Sequence, residues 1–161
     1  MQEFKIDNFD TFILDLDSTV WLGIEPTFWA KKLKFPIKKE RQRIYDQDNN
    51  YIELTNGISE FLTQVNLKNK RVGFLTRGAL LDTEYEQQPP ILCLKEFNIY
   101  SLFNYENHAI YKTQLKSNFL KPYKQTIFID DNPTDLKDIK DNFPQVTTMN
   151  KNLFNDWREL I

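Results

Sequence analysis

Residues 12–21 read FILDLDSTVW, an apolar run that ends in two aspartates spaced two residues apart. The run predicts a buried strand, and strand alternation places Asp15 and Asp17 on the same side of it. Repulsion between the two carboxylates must then be offset by a cation, a shared proton, or both. The arrangement suggests a metal-assisted pair of a nucleophile and an acid.

A second segment of the same kind occupies residues 126–135, TIFIDDNPTD, where an apolar strand ends in Asp130 and Asp131. The alternative for this pair is an ordinary surface turn. The apolar run before it favours a buried strand with the acids at its mouth, where ligands of open α/β sheets bind. Two acid-tipped strands favour a magnesium site, since hard oxygen ligands are available and no histidine or cysteine cluster is.

Length and composition predict one compact domain over residues 1–161, because 161 residues with 40% hydrophobic content suffice for a single core. The net charge of −2 argues against nucleic-acid binding by the whole surface and leaves local patches open. Cys93 is the one cysteine, expected to be a buried thiol, and His108 is the one histidine, which excludes a hydrolase triad. The sequence shows no signal core and no membrane span, so we expect a soluble, cytoplasmic protein.

Strand-like runs at about 11–16, 71–76, 126–130 and 145–149 alternate with helical patterns, which predicts an α/β fold with a parallel sheet covered on both faces. Helices are expected at several places along the chain. One helix begins after residues 55–57, one covers about 90–98, one begins near Lys112 and one follows an Asn132 cap. A short amphipathic turn is expected within 153–160.

An insertion at about residues 22–55 breaks this alternation. Residues 43–45 and 51–54 flank a turn-rich loop and predict a β-hairpin. Following the first acid-tipped strand, it is expected to form a small cap or flap over the carboxyl edge of the sheet. Its basic residues favour a solvated surface over a patch that steers anionic substrates; they are Lys31, Lys32, Lys34, Lys38, Lys39, Arg41 and Arg43.

Four polar elements are predicted to meet one edge of the sheet: DLDST (15–19), FLTRG (74–78), Lys112 and IDDNPTD (129–135). In this order they resemble the haloacid dehalogenase (HAD) superfamily of phosphotransferases over residues 11–148. The short hairpin insertion looks most like the magnesium-dependent phosphatase type-one group. The resemblance implies a Rossmann-like HAD-type sheet with a minimal cap.

The resemblance also implies roles for the acids. Asp15 would be the nucleophile that forms an aspartyl phosphate, and Asp17 the general acid and base. Magnesium would be held by an oxygen of Asp15, the backbone carbonyl of Asp17, and Asp131. Asp130 would lie behind the metal or serve as an alternative ligand. Asp135 is either a supporting acid of the site or a residue that satisfies a helix N-terminus.

Further roles come from the second motif and the lysine. Thr76 and the amides after it would bind phosphoryl oxygens, and Gly78 would let the backbone approach them. Arg77 would either grip the substrate or lie in solvent. Lys112 would neutralise the aspartate and the phosphate, with Lys116 and Lys124 as alternatives.

Roles near the predicted site are also assigned to Trp21 and to one loop. Trp21 would belong either to a flap beside the site or to the core. The loop from Tyr85 to Pro90 would wall the leaving-group pocket.

The leading functional hypothesis is a magnesium-dependent phosphomonoesterase acting on phosphotyrosine, phosphoproteins or sugar phosphates. A nucleic-acid 3′-phosphatase of the same chemistry ranks second, because the insertion is basic. A receiver-like signalling module or another non-catalytic phosphate-binding protein is disfavoured. In a receiver domain the lysine follows the threonine near the end of the fold, whereas here it precedes the last acid-tipped strand.

Overall fold

The computed structural model describes residues 4–24 and 33–161. These residues contain nine strands: β1 (Thr11–Leu14), β2 (Trp21–Gly23), β3 (Lys38–Glu40), β4 (Arg43–Tyr45), β5 (Tyr51–Leu54), β6 (Arg71–Arg77), β7 (His108–Ile110), β8 (Thr126–Asp130) and β9 (Thr147–Asn150). The α-helices are α1 (Ile58–Leu67), α2 (Pro89–Glu96) and α3 (Pro133–Asn142). Short 3-10 helices cover Ile6–Asn8, Tyr85–Gln87, Tyr100–Leu102, Lys116–Asn118, Lys151–Leu153 and Trp157–Leu160.

Five strands form a parallel sheet in the order β7-β6-β1-β8-β9. The central strand β1 is paired on both sides, with Leu14 opposite Phe74 of β6 and Ile129 of β8. Parallel strands need crossover connections; α1, α2 and α3 lie in three of them, and the connection from β7 to β8 contains a 3-10 helix. The α/β class predicted from the alternating pattern is confirmed. The register brings the carboxyl ends of β1, β6 and β8 to one edge; Asp15 and Asp131 directly follow β1 and β8, and Arg77 is the last residue of β6.

Alternate residues of β1 point into two cores on opposite faces of the sheet, as the period of two requires. Phe12 and Leu14 belong to the larger core, which also contains Phe61 of α1 and the fully buried Trp157. Ile13 belongs to a smaller core on the other face. Its buried partners include Leu75, Phe128 and Ile139. Burial on both faces explains why the strand is apolar throughout.

Most predicted elements are confirmed within a few residues, and the exceptions have physical causes. The predicted helix beginning near Lys112 is wrong: residues 112–115 form turns, and only a 3-10 helix follows at Lys116–Asn118. Tyr111 and Leu115 recur with Phe119 at helical spacing, yet both are exposed and form no buried face. The edge strand β7 was not predicted, because three residues are too few to show a pattern.

The insertion forms a four-stranded antiparallel sheet in the order β2-β5-β4-β3. The predicted hairpin is present as β4 and β5, while β2 and β3 on its flanks were not predicted. Ile44, Ile52 and Leu54 are buried and join the larger core. The backbone amide of Lys39 donates to Glu96 at the end of α2, at 3.2 Å. The described part of this small sheet is therefore packed against the α1 and α2 side of the main sheet.

The basic residues of the insertion are largely matched by acceptors where they are described; Lys31 and Lys32 lie outside the described residues. Lys34 pairs with Asp48, and Lys38 pairs with Glu40. Arg43 contacts Glu53 and lies over the ring of Tyr51. Lys39 donates through its ammonium group to the carbonyl of Phe97. Locally paired charges project a weaker field than the sequence run suggests, which fits the predicted solvated surface.

Cys93 is free and fully buried, as predicted, and burial raises the pKa of its thiol, which keeps it protonated. In the described part of the chain, no helix is both long enough and apolar enough to cross a membrane.

Candidate active site

A cleft of about 500 Å³ opens at the carboxyl edge of the main sheet, where ligands of open α/β folds bind. Its lining comes mainly from the segments that directly follow β1 and β8. The lining residues are Asp15, Asp17, Ser18, Arg77, Lys112, Lys116, Asp130, Asp131, Asn132, Pro133 and Asp135. The two acid-tipped strands therefore meet in one place, as the sequence predicted for them.

Lys116 is buried in the centre of this site and contacts three carboxylates. Its ammonium nitrogen lies 2.6 Å from Asp15 Oδ1, 2.7 Å from Asp130 Oδ2 and 3.4 Å from Asp135 Oδ2. Lys112 lies in the cleft lining, but the place against Asp15 that was predicted for it is held by Lys116. Lys116 is one of the two alternatives to Lys112 that the sequence left open, and before it the chain forms a turn and a bend at residues 112–114 instead of starting a helix. The role assigned to Lys112 stays a prediction.

Burial and charge act in opposite directions on this pair. Burial raises the pKa of Asp15 well above its usual value, Asp130 and Asp17 add to the rise, and Lys116 opposes it. For Lys116, burial alone would lower the pKa, but attraction to Asp15, Asp130 and Asp135 outweighs it and raises the pKa. Lys116 is therefore charged at neutral pH. Asp15 needs more positive charge nearby than Lys116 supplies if it is to be fully ionised.

Asp15, Asp130 and Asp131 each offer a carboxylate oxygen, and these oxygens lie within 4.8 Å of one another. Such a group could hold a metal ion, and the all-oxygen donor set fits a hard divalent cation such as Mg²⁺. The charge balance points the same way. Among the residues that the structure describes, five aspartates and three cationic side chains line the cleft, a formal excess of two negative charges. The residues present thus fit the metal that the sequence predicted.

The two neighbouring acids of this group differ in how they are engaged. Asp130 is fully buried; Oδ2 accepts from Lys116 and Oδ1 accepts from the amide of Asn132 at 2.8 Å. Asp131 is half-buried in the cleft wall, and its pKa is raised by burial and by the charge of Asp130. The more accessible Asp131 is therefore better placed to accept an additional ligand.

Asp135 and Arg77 form an ion pair across the cleft, with Arg77 Nη1 2.6 Å from Asp135 Oδ2. Asp135 lies in the first turn of α3, where Asn132 caps the helix by accepting from the amide of Thr134 at 2.9 Å. Burial would raise the pKa of Asp135, but Arg77 and Lys116 lower it overall. Of the two alternatives left open for Asp135, its contacts favour the supporting acid, and Arg77 lies in the cleft wall and not in free solvent.

Thr76 and Gly78 are placed differently from expectation. Thr76 is buried, and its hydroxyl donates to the carbonyl of Arg77 at 3.3 Å. The amides of Gly78 and Ala79 both donate to the carbonyl of Ile110, at 3.0 and 3.1 Å. Neither Thr76 nor Gly78 is among the described residues of the cleft lining. These two amides join the chain to β7, and among the described residues of β6 it is Arg77 that lines the cleft. The predicted phosphate cradle of Thr76 and Gly78 stays a prediction.

Asp17 also lines the cleft, and one of its partners was not predicted. The indole Nε1 of Trp21 donates to Asp17 Oδ1 at 2.8 Å. Trp21 is buried and its ring stacks on Phe97, so the core alternative holds for its ring, while its N–H faces the site. A tryptophan four residues after an aspartate is a weak signal in sequence, because the contact depends on the turn between them.

The loop from Tyr85 to Pro90 is ordered by Gln88, which is buried and bonds to three backbone groups. Its amide oxygen accepts from the amide of Leu80 at 2.7 Å, and its amide nitrogen donates to the carbonyls of Leu80 and Thr83. Among the described residues, the loop adds none to the cleft lining. Its predicted role as a wall of the leaving-group pocket stays a prediction. The same holds for the cap, since no residue from 33 to 54 is in the lining.

Comparison with known proteins adds one fold-level finding. No family model matches the chain, and no curated protein matches it. Among solved structures it is similar to the N-terminal part of the protein BF1531 from Bacteroides fragilis, which contains a phosphatase domain and was crystallised in complex with Mg. The TM-score is 0.50 at 14% identity, over 99% of this chain and 39% of that chain. The chain thus shares the α/β fold of a phosphatase domain and spans well under half the length of the similar protein.

Proposed function

We propose that this protein is a magnesium-dependent phosphomonoester hydrolase of the HAD superfamily, acting through an aspartyl phosphate on Asp15. The observation that carries the proposal is the position of Asp15 at the end of the central strand. There it is bonded to Lys116 and shares a buried site with Asp130 and Asp131. A carboxylate that is held by a lysine, beside two acids that can bind a cation, is suited to act as the nucleophile toward an anionic phosphoryl group.

The chemistry requires two displacements at phosphorus. An oxygen of Asp15 forms a bond to phosphorus while the bond to the ester oxygen breaks, and Asp17 gives its proton to that departing oxygen. Water then attacks the phosphorus of the aspartyl phosphate, Asp17 takes up a proton from it, and the bond to Asp15 breaks. The products are an alcohol and inorganic phosphate, and both aspartates return to their starting states.

The positively charged side chains of the cleft stabilise the negative charge that develops on the phosphoryl oxygens. Lys116 holds Asp15 in place and offsets its charge, and Arg77 reaches the cleft from the next strand. Arg77 is itself fixed, because Asp135 and the carbonyl of Gln114 accept from it at 2.6 and 3.3 Å. Hydrogen-bond donors that are already fixed in position before the reaction stabilise a transition state better than mobile donors do.

Magnesium would be held by an oxygen of Asp15, the backbone carbonyl of Asp17, and Asp131, with Asp130 oriented behind them by Lys116. When bound, the ion supplies positive charge that screens the carboxylate from the phosphate and favours the ionised form of Asp15. The magnesium complex of the similar Bacteroides fragilis domain supports magnesium as the metal.

The substrates we propose are phosphotyrosine, phosphoproteins or sugar phosphates. The described residues of the insertion, 22–24 and 33–55, stay outside the cleft lining, and this supports substrates with large phosphorylated groups. The rival nucleic-acid 3′-phosphatase rested on the basic insertion. Its described charges are mostly paired with acids or backbone carbonyls, so this support is weakened.

Hydrolysis of an aryl phosphate by the purified protein tests the proposal, with magnesium, with excess chelator, and with Asp15→Asn. We expect turnover that needs magnesium and is lost in Asp15→Asn. Asp141→Asn is the matched control, because it removes an exposed aspartate paired with Lys137 on α3, away from the cleft lining. Turnover that persists in folded Asp15→Asn, or a folded, magnesium-supplied wild type inactive toward aryl, peptide and sugar phosphates alike, contradicts the proposal.

A further inference from the structure

The segment after β1 folds back on itself within five residues. The carbonyl of Leu16 accepts from the amides of Thr19, Val20 and Trp21, at 3.2, 2.8 and 3.2 Å. Ser18 makes the reversal with a left-handed backbone, at a φ of 59°. Asp17 and Trp21 consequently form a parallel bridge, and the tryptophan returns to the side of the aspartate.

The donor that Trp21 brings to Asp17 is rigidly held. Its ring is 1% exposed and stacks on Phe97, with ring centroids 6.2 Å apart and planes inclined by 29°. The backbone of Trp21 pairs with Leu54 of β5. An indole can only donate through Nε1, and here that single N–H is directed at Asp17 Oδ1 at 2.8 Å.

We propose that Trp21 is a positioning residue that fixes the carboxyl group of Asp17 for proton transfer to the leaving oxygen; this rests on the proposed function. A carboxyl group turns freely about its last bond when nothing holds it, because that rotation is broad and weakly restricted. A bond to one oxygen from a buried ring selects one orientation. Proton transfer needs the donor oxygen within hydrogen-bond reach of the leaving group, so a fixed orientation aids that step.

This role has a kinetic signature that loss of packing does not share. An alkoxide leaving group is strongly basic and needs the proton from Asp17, whereas a nitrophenolate leaves readily without it. A defect in this proton transfer therefore slows the first displacement for alkyl phosphates and spares it for nitrophenyl phosphate. The second displacement, in which Asp17 takes up a proton from water, is the same for both esters. A general disturbance of the fold slows both substrates in the same proportion.

The test compares kcat/KM, which reports only the steps up to departure of the leaving group, for nitrophenyl phosphate and for a simple alkyl phosphate in wild type and Trp21→Phe, with magnesium. We expect Trp21→Phe to lower kcat/KM for the alkyl ester by about tenfold or more, a part of the usual contribution of general acids, and to change kcat/KM for the nitrophenyl ester by less than about twofold. Trp21→His, which keeps a ring N–H, is expected to recover part of the loss.

Trp157→Phe is the matched control. Its indole is as deeply buried and donates to Thr55 Oγ1 at 2.9 Å, so the substitution deletes the same group outside the cleft lining. We expect any effect of Trp157→Phe to be equal for the two esters. An equal loss for both esters in Trp21→Phe overturns the inference while the proposed function stands. An inactive wild type overturns both.

A second measurement covers the case in which Trp21→Phe does not fold. The indole N–H resonance of Trp21 can be assigned in the wild type by elimination, using Trp29→Phe and Trp157→Phe. We expect Asp17→Asn to shift this resonance more than the other two indole resonances. An unchanged Trp21 resonance overturns the inference.

Discussion

Lys116 Nζ lies 2.6 Å from Asp15 Oδ1 although the two residues are 101 positions apart in the chain. The contact joins the end of the central strand to a short 3-10 helix after the edge strand β7. Both side chains are buried, and Lys116 also contacts Asp130 and Asp135. A buried cation with three carboxylates around it is what keeps these acids together, because an unpaired buried charge is costly.

Lys116→Met is expected to lower activity by about 100-fold or more, because it removes a preorganised charge from the reacting centre. It should also lower the free energy of unfolding by about 3 kcal/mol, because it leaves buried carboxylates without their partner. Aryl phosphate turnover and urea denaturation measure the two effects.

Lys112→Met is the matched control for this substitution, since it removes the lysine at the mouth of the same cleft. We expect it to cost less than about tenfold in activity and little stability, as for an exposed charge. A larger activity loss from Lys112→Met than from Lys116→Met would return the role to the residue that the sequence favoured.

Magnesium is expected to raise the melting temperature of the wild-type protein, because a ligand that binds only the folded state stabilises it. At 100 times the dissociation constant the gain is about 2.7 kcal/mol. Asp131→Asn should remove most of this shift, since it deletes a carboxylate of the acidic group. Thermal unfolding with and without magnesium measures it, with Asp141→Asn as control. An equal shift in wild type and Asp131→Asn argues against Asp131 as a ligand.

Arg77→Met and Thr76→Val separate two predictions for the second motif. Arg77 lines the cleft, whereas the hydroxyl of Thr76 bonds to a backbone carbonyl. We expect Arg77→Met to reduce kcat/KM by about 100-fold, the usual effect of losing one transition-state donor, and Thr76→Val to reduce it by less than about tenfold. The reverse order in steady-state kinetics would restore Thr76 as the phosphate contact.

The stability of the small sheet is expected to depend on pH through Asp46. This buried carboxylate accepts from the amides of Lys34, Asp48 and Asn50, at 2.9, 2.9 and 2.8 Å. Burial would raise the pKa of Asp46, but these bonds and the side-chain amide of Asn50 lower it overall. A lowered pKa in the folded state adds stability above the unfolded pKa of about 3.9, and this is lost as the pH falls below about 4.

Asp46→Asn should therefore cost about 2 kcal/mol at pH 6, the usual value of hydrogen bonds to a charged group, and less at pH 3.5. Urea denaturation of both proteins at the two pH values measures the difference. Asp48→Asn changes an exposed carboxylate of the same loop and should have little effect at either pH. A stability difference for Asp46→Asn that is the same at both pH values would count against this account.

The main sheet and the meeting of its two acid-tipped strands could be predicted from the sequence. Continuous apolar runs such as residues 12–14 and 127–129 indicate strands that are buried on both faces. Parallel strands end at one edge, so the acids after β1 and β8 were expected at the same edge. The pairing of β1 with β8 in the structure makes them neighbours. The hairpin of β4 and β5 followed in the same way from its turn residues. The flanking strands β2 and β3 are too short to be recognised without their partners.

Tertiary structure alone decided which side chains meet in the cleft. The sequence favoured Lys112, with Lys116 as an alternative, and only the fold shows that Lys116 contacts Asp15. Arg77 reaches the cleft and Thr76 does not, because the end of β6 is bonded to β7. The indole N–H of Trp21 donates to Asp17 because the chain reverses between them, where the carbonyl of Leu16 accepts hydrogen bonds from three backbone amides. Local sequence patterns encode burial and period, whereas the direction of a single polar side chain depends on contacts between segments distant in the chain.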